Sequence, residues 1–344
     1  MKYNTISITL ALSLLLTGCN KPATNKANNT HVNEDGSVYV GDMMDGKRHG
    51  TGTHLPLEGN RYIGEWANDK EEGKGRRIYK DSSIYEGDFK NGKPDGQGKL
   101  SYSHPVLGYS YAGGFKAGKQ SGRGREERSQ GIVYEGEFLD GKRNGKGTLT
   151  RKNPGKQDAK YVGEFINGLP QGTGSMVFED SSTYRGAFQK GLPHGIGQKT
   201  LANGDTYNGS WVRGMKHGKG VLVTRSGDRY EGDFNQDTRT GQGLMTFGKN
   251  SPFNGDKYEG EFTNGKPNGK GTYTKANGVV YKGSLKNGVP HGEGTLTSPD
   301  GKMKTGSWEE GKELEVQNTP KVVPGKPKEP MPDKTATKPQ GRQK

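Results

Sequence analysis

The sequence has little to bury. Only 27% of its 344 residues are apolar, and it holds one cysteine, Cys19. A single cysteine excludes an intramolecular disulfide and any metal site built on several thiolates. The low apolar content excludes a deep spherical core and, taken alone, predicts disorder. No apolar run is long enough to cross a membrane as a helix; the longest spans residues 6–16. What abounds is glycine, at 59 residues, and positive charge, at a formal net of +14. Such charge favours polyanionic neighbours, namely anionic lipid, cell-wall polymer or nucleic acid, and says nothing about fold. Against disorder stand the aromatics, which make up 8% of the chain and are regularly spaced.

The N-terminus reads as a targeting segment. Lys2 supplies a basic start, and the apolar run at 6–16 has the length of a signal-peptide core. It ends in Leu16-Thr17-Gly18-Cys19, which resembles the lipobox of bacterial lipoproteins. The resemblance implies cleavage between Gly18 and Cys19, acylation of Cys19, and anchoring of the chain in a lipid bilayer. Several acyl chains hold a protein firmly, whereas one binds only marginally. Asn20 stands where Asp would favour inner-membrane retention, so the resemblance points to the outer membrane if the cell is Gram-negative. Removing residues 1–18 takes Lys2 with them and leaves a net charge of +13.

A repeat fills most of the rest. Anchor tyrosines fall at Tyr39, Tyr62, Tyr85, Tyr111, Tyr134, Tyr161, Tyr184, Tyr207, Tyr230, Tyr258 and Tyr281, and Lys304 is in phase with them. The common step is 23 residues, and three steps are longer by 3, 4 and 5. Counting the anchor as position 0, position 2 is Gly in all twelve units and position 4 is Phe or Trp in ten. Position 7 is Gly in ten units, and positions 11 and 13 are Gly in all eleven complete ones. Phase-locking of this kind marks a repeat architecture.

The pattern Tyr-x-Gly-x-Phe-x-x-Gly-x-x-x-Gly-x-Gly is similar to the MORN repeat (membrane occupation and recognition nexus). The segments "YEGDFKNGKPDGQG" at 85–98 and "YEGEFTNGKPNGKG" at 258–271 carry it most fully. The resemblance spans about residues 37–316.

Residue chemistry predicts the fold independently. Tyr134, Gly136 and Phe138 alternate with Glu135 and Glu137, which is the period of a strand. Turn residues follow in "LDGKRNG", and a second strand begins in "GKGTLT". Leu100, Leu149, Met176, Leu222, Met245, Tyr273 and Leu296 share position 15 on that second strand. Each unit therefore reads as a β-hairpin, too weak alone and stable when joined to its neighbours. The expected fold is all-β: an elongated single-layer antiparallel meander of about twelve hairpins and about 23 strands. It should be thin, near-flat and polar everywhere except along an aromatic ladder. The ladder residues are Tyr85, Phe89, Tyr134, Phe138, Tyr161, Phe165, Tyr184, Phe188, Tyr207, Trp211, Tyr230, Phe234, Tyr258 and Phe262. Glycine between two rings should leave room for the next unit's ring.

This divides the chain into a signal peptide at 1–18, a linker at 19–36, repeats at 37–316 and a tail at 317–344. Residues 319–344 hold six prolines, seven bases and two acids, and read as an extended, disordered basic segment.

Three motifs are turn or surface grammar rather than chemistry. Gly-x-x-x-x-Gly-Lys, ending at Lys47, Lys93, Lys119, Lys142, Lys266 and Lys312, is never followed by the Ser or Thr that a phosphate loop needs. His49, His194, His217 and His291 recur at position 10, too far apart on neighbouring hairpins to share a zinc. Acids at positions 1 and 3, such as Glu86 with Asp88, read as a solvated face. Residues 102–109, 151–159 and 248–256 are the insertions where a unique site could hide.

The chain thus reads as a non-enzymatic envelope lipoprotein without cofactor or metal, whose repeats form a protein-interaction scaffold. The alternative is direct binding of anionic phospholipid or cell-wall polymer by repeats and tail. An exported, lipid-anchored protein rarely meets nucleic acid.

Overall fold

The computed structural model describes residues 29–104 and 108–314. Those residues form one open antiparallel sheet of 25 strands, without a helix. Each strand pairs with the strands before and after it in the chain, as the registers of successive hairpins show. Two short strands extend the expected meander. Thr30–Val32 pairs with Val38–Met44, so the sheet begins inside the stretch read as linker. Lys312–Glu313 closes the truncated twelfth unit. Gly18, Cys19 and the tail from 317 lie outside the described residues.

The fifth unit shows how sequence makes the hairpin. Ile132–Leu139 runs out and Lys142–Arg151 runs back. Between them Asp140 and Gly141 have φ of 49° and 78°. Two positive φ values in a two-residue loop give the turn whose twist matches the strands it joins. The turn is shorter than "LDGKRNG" suggests, because Lys142 and Arg143 already belong to the return strand. The same backbone recurs in all twelve units, even where Ala117, Lys190, Arg213 or Glu310 takes the first turn position.

Each return strand then bulges. Gly136 faces Gly147, yet Phe138 faces Arg143, so Glu137 alone spans the residues between. Gly145 sits inside the bulge at φ 83°, a conformation that favours glycine.

The tyrosine repairs what the bulge breaks. Its ring folds back along its own strand, and its hydroxyl donates to the carbonyl of position 3. For Tyr134 and Glu137 that bond is 3.0 Å, and all eleven anchor tyrosines make it. The ring covers the facing glycines at positions 2 and 13. A Cβ on Gly136 would stand 2.6 Å from the Gly147 Cα and 2.5 Å from the Tyr134 hydroxyl oxygen. The glycine slot is therefore filled by the unit's own tyrosine, and not by the next unit's ring as the sequence suggested. The paired glycines form one unbroken row across the sheet from Gly41 to Gly306.

Rings join unit to unit. Tyr134 meets Phe138 of its own unit at 5.1 Å and Phe165 of the next at 5.0 Å, both edge to face. Such pairs contribute about 0.5–1.5 kcal/mol each beyond area burial. Tyrosine and Phe or Trp alternate in this way from Tyr39 to Phe262, and the anchors are at most 4% exposed. A backbone staple adds to the rings: Gly168 N–H donates to the Arg143 carbonyl at 2.9 Å, and the equivalent bond recurs at all eleven junctions. The last unit ends differently. Lys304 replaces the tyrosine and pairs with Glu313 at 2.6 Å, which gives the array a polar end.

Two predictions follow from this core. Gly174→Ala would place a Cβ 2.6 Å from the Tyr161 hydroxyl oxygen at an extended backbone position, so only space is at issue. It should lower stability by about 1–3 kcal/mol, read as a lower urea midpoint by circular dichroism; an unchanged midpoint contradicts the slot. The second concerns pH. Burial pushes the phenols of Tyr134, Tyr161, Tyr184 and Tyr230 up to about 12 from an ordinary 10.0. The folded state holds these protons more tightly than the unfolded chain, so their contribution is complete below pH 10 and is lost as pH rises towards 12. Phenolate absorbance should rise in step with loss of the sheet signal. Titration of the anchors with the sheet intact would be the contrary result.

Candidate interaction surface

The two faces of the sheet carry different chemistry. On one lies the ladder, backed by Leu100, Leu149, Met176, Leu222, Met245, Tyr273 and Leu296, as their shared position predicted. Three charged residues at position 15 of this face escape the sequence reading, namely Arg77, Glu126 and Lys199, the last lying 4.8 Å from the Phe178 ring centre. Glu126, 3% exposed, stands at position 15 of the fourth unit and accepts from Arg128 at 2.6 Å and Arg143 at 2.9 Å. The Arg143 guanidinium also lies 5.1 Å from the Tyr134 ring centre. Arg77, at the same position of the second unit, pairs with Glu71 and lies over Phe89 at 4.9 Å. The available signal was a charge at an otherwise apolar position. Where Leu285 replaces a ring, the ladder face opens into a pocket of 500 Å³ bordered by Tyr281, Leu296 and Trp308 and by the polar Asp256 and Lys275.

The opposite face carries positions 1, 3, 5, 8, 12 and 14. Its acids at position 3 have a local task that the solvated-face reading missed. Asp88 accepts the Gln97 N–H at 2.7 Å across its own bulge, and Asp42 and Glu65 do the same for Thr51 and Lys74. The Lys74 ammonium, 2.5 Å from Asp88, and that N–H hold the Asp88 carboxyl below its ordinary value. These carboxylates close backbone loops, and each sits in its own unit.

The face is neither flat nor uniformly polar, contrary to expectation. A groove of 830 Å³ crosses the strands along the glycine row, between walls that include Arg123, Glu135, Lys146 and Glu164. A second of 490 Å³, lined by Val162, Thr173 and Arg185, continues it. Bulged hairpins make this relief, and periodicity alone does not reveal it.

Along the turn edge the residues flanking each turn change character. Units two to four present Lys70, Lys90, Lys93, Lys116 and Lys119, all exposed. Units five to eight present Leu139, Ile166, Leu169, Leu192 and Val212, exposed between 36% and 56%. Ile196, on the same face, is 67% exposed. Scattered apolar residues are ordinary on a surface, whereas a contiguous set marks contact.

The other motifs resolve into structure. Each Gly-Lys pair is the end of a turn and the start of a return strand. The four position-10 histidines belong to four separate hairpins, and among the described residues no group of three His, Cys, Asp or Glu could hold a metal ion. No described helix is long and apolar enough to cross a membrane. The insertion at 248–256 packs Phe253 on Phe247 at 5.3 Å, and Tyr273 donates to Asp256 at 2.6 Å.

No curated protein matches the sequence. Among solved structures, the TCP10 domain of Danio rerio CPAP, in complex with a STIL peptide, is 10% identical. The match covers 82% of this chain and all of that one, at a TM-score of 0.22. The Drosophila melanogaster SAS-4 TCP domain, in complex with a proline-rich motif of Ana2, is 13% identical at a TM-score of 0.20, covering 63% and 96%. A streptogramin B lyase is 13% identical at 0.13, covering 81% and 93%. Likeness at that level is silent about partners. The family comparison is of another order. The MORN repeat model matches residues 39–55, 62–84, 85–103, 111–133, 134–153, 161–183, 184–206, 207–229, 230–251, 258–280 and 281–303. Those segments begin on the eleven anchor tyrosines and cover well over half of the chain, which therefore belongs to the MORN-repeat family.

Proposed function

We propose that this MORN-repeat chain is a non-enzymatic interaction scaffold of the bacterial cell envelope, anchored in a bilayer through acylated Cys19. The observation that carries the scaffold reading is the groove with its exposed aliphatic patch on an otherwise polar face. Carboxylates at position 3 of the first three units close bulges in their own units instead of converging. Membrane anchoring is supported by Leu16-Thr17-Gly18-Cys19, where the chain's single cysteine falls at the acylated position of a lipobox. With Asn20 next, the outer membrane is the expected address in a Gram-negative cell.

A second reading has its own observation. The exposed lysines of units two to four, together with the basic tail, would attract anionic phospholipid or cell-wall polymer. Such attraction would be screened by salt, whereas aliphatic contact would not.

Radiolabelled palmitate with membrane fractionation tests the anchor. The native chain should take up label and sediment with membranes, and Cys19→Ser should lose the label. Equal labelling of the two would overturn the lipobox assignment. Sedimentation of the Cys19→Ser protein with anionic vesicles then separates the readings. Binding that survives removal of the tail and vanishes in high salt supports lipid contact by the repeats, and its absence leaves the scaffold.

A further inference from the structure

Three features coincide on the open face between the fourth and eighth units. The first is the groove, which follows the glycine row across the strands from Ala112 to Arg185. The second is the aliphatic patch beside it. At position 12 every other complete unit carries a polar residue, and the seventh carries Ile196, 67% exposed. In the same unit Ala187 replaces the acid of position 3. The polar pattern is thus reversed locally, next to Ile166, Leu169, Leu192 and Val212. The third is charge. Arg123, Lys146 and Arg185 on the groove and Lys190 and Arg213 at the adjoining turns pair with no acid among the described residues, and these five cations outnumber the groove's three acids, Glu135, Glu137 and Glu164, the first of which is held by Arg125.

We propose that this groove seats an α-helix of a partner protein, with an aliphatic stripe against the patch and acidic side chains towards those cations. The proposal rests on the scaffold reading and names the surface and partner chemistry for it. An extended peptide that adds to a sheet needs a free edge, and the groove lies on a face whose backbone groups are already paired. A helix satisfies its own backbone and brings only side chains. The spacing agrees: units recur every two strands, roughly 9.6 Å, and seven residues of helix rise about 10.5 Å. One apolar residue per heptad would therefore meet one unit after another. Charge disfavours a second copy of this chain, because a two-fold contact here would bring two surfaces with an excess of unpaired cations together. A flat bilayer would reach the turn edge and not the groove floor.

The test uses full-length, membrane-bound protein with a benzoylphenylalanine photocrosslinker at Ile196 and, as control, at Lys282 on the same face far from the patch. Mass spectrometry identifies what is captured. The expected result is a protein segment with apolar residues at helical spacing flanked by Asp or Glu, captured from 196 and not from 282. It should fall at least tenfold when Leu192→Glu is added, and the unchanged melting temperature of that variant shows that the sheet survives. Capture of lipid, of a second copy, or of the same species from both positions overturns the proposal. No protein at 196, with partners still recovered by whole-chain crosslinking, sinks this surface and spares the scaffold. If neither experiment recovers a protein, both readings fall.

Discussion

Everything in this sheet depends on a tyrosine hydroxyl reaching back to a carbonyl three residues on. The two-residue turn and the positive-φ glycine at position 11 force a bulge, and the bulge strips one carbonyl of its ladder partner. A buried carbonyl without a donor costs free energy. The tyrosine supplies that donor, and its ring can do so only by lying on backbone, which requires glycine at positions 2 and 13. Tyrosine and paired glycines are thus one device. The glycines weaken each strand through entropy, and ring burial with edge-to-face contacts offsets that cost.

Because the device is spent on structure, it recurs in all eleven complete units and carries no information about a partner. Ladder-face departures such as Arg77, Glu126 and Leu285 are taken up by partners or packing within the sheet, whereas the opposite face varies more freely. Acids at position 3 close the bulge in the first three units, and Ala187 shows that a unit folds without one. That freedom lets one stretch of an otherwise charged face turn aliphatic. The aliphatic departures on this face fall in adjacent units, the fifth to the eighth.

Much of this was legible in the residues themselves. The step of 23, the strand period of Tyr134-Glu135-Gly136-Glu137-Phe138 and the apolar residues at position 15 all describe the observed hairpin. Glu126 was not legible, because a charge at an apolar position shows its pairing with Arg128 and Arg143 only when neighbouring strands are brought into register. The glycine slot was legible in kind and misassigned in owner. Sequence spacing places Tyr134 and the rings of the next unit equally near Gly136, and only the direction of the side chain along its strand settles which one fills it.

The sequence by itself determined the hairpin, its number and its connection, since strand period and turn chemistry are local properties repeated along the chain. Tertiary structure decided the relief of the open face. Leu139, Ile166, Leu192 and Val212 are at least 20 residues apart in the chain in each case and read singly as surface noise. Pairing each unit with the next sets them along one edge, beside a groove that exists because every hairpin bulges at the same place.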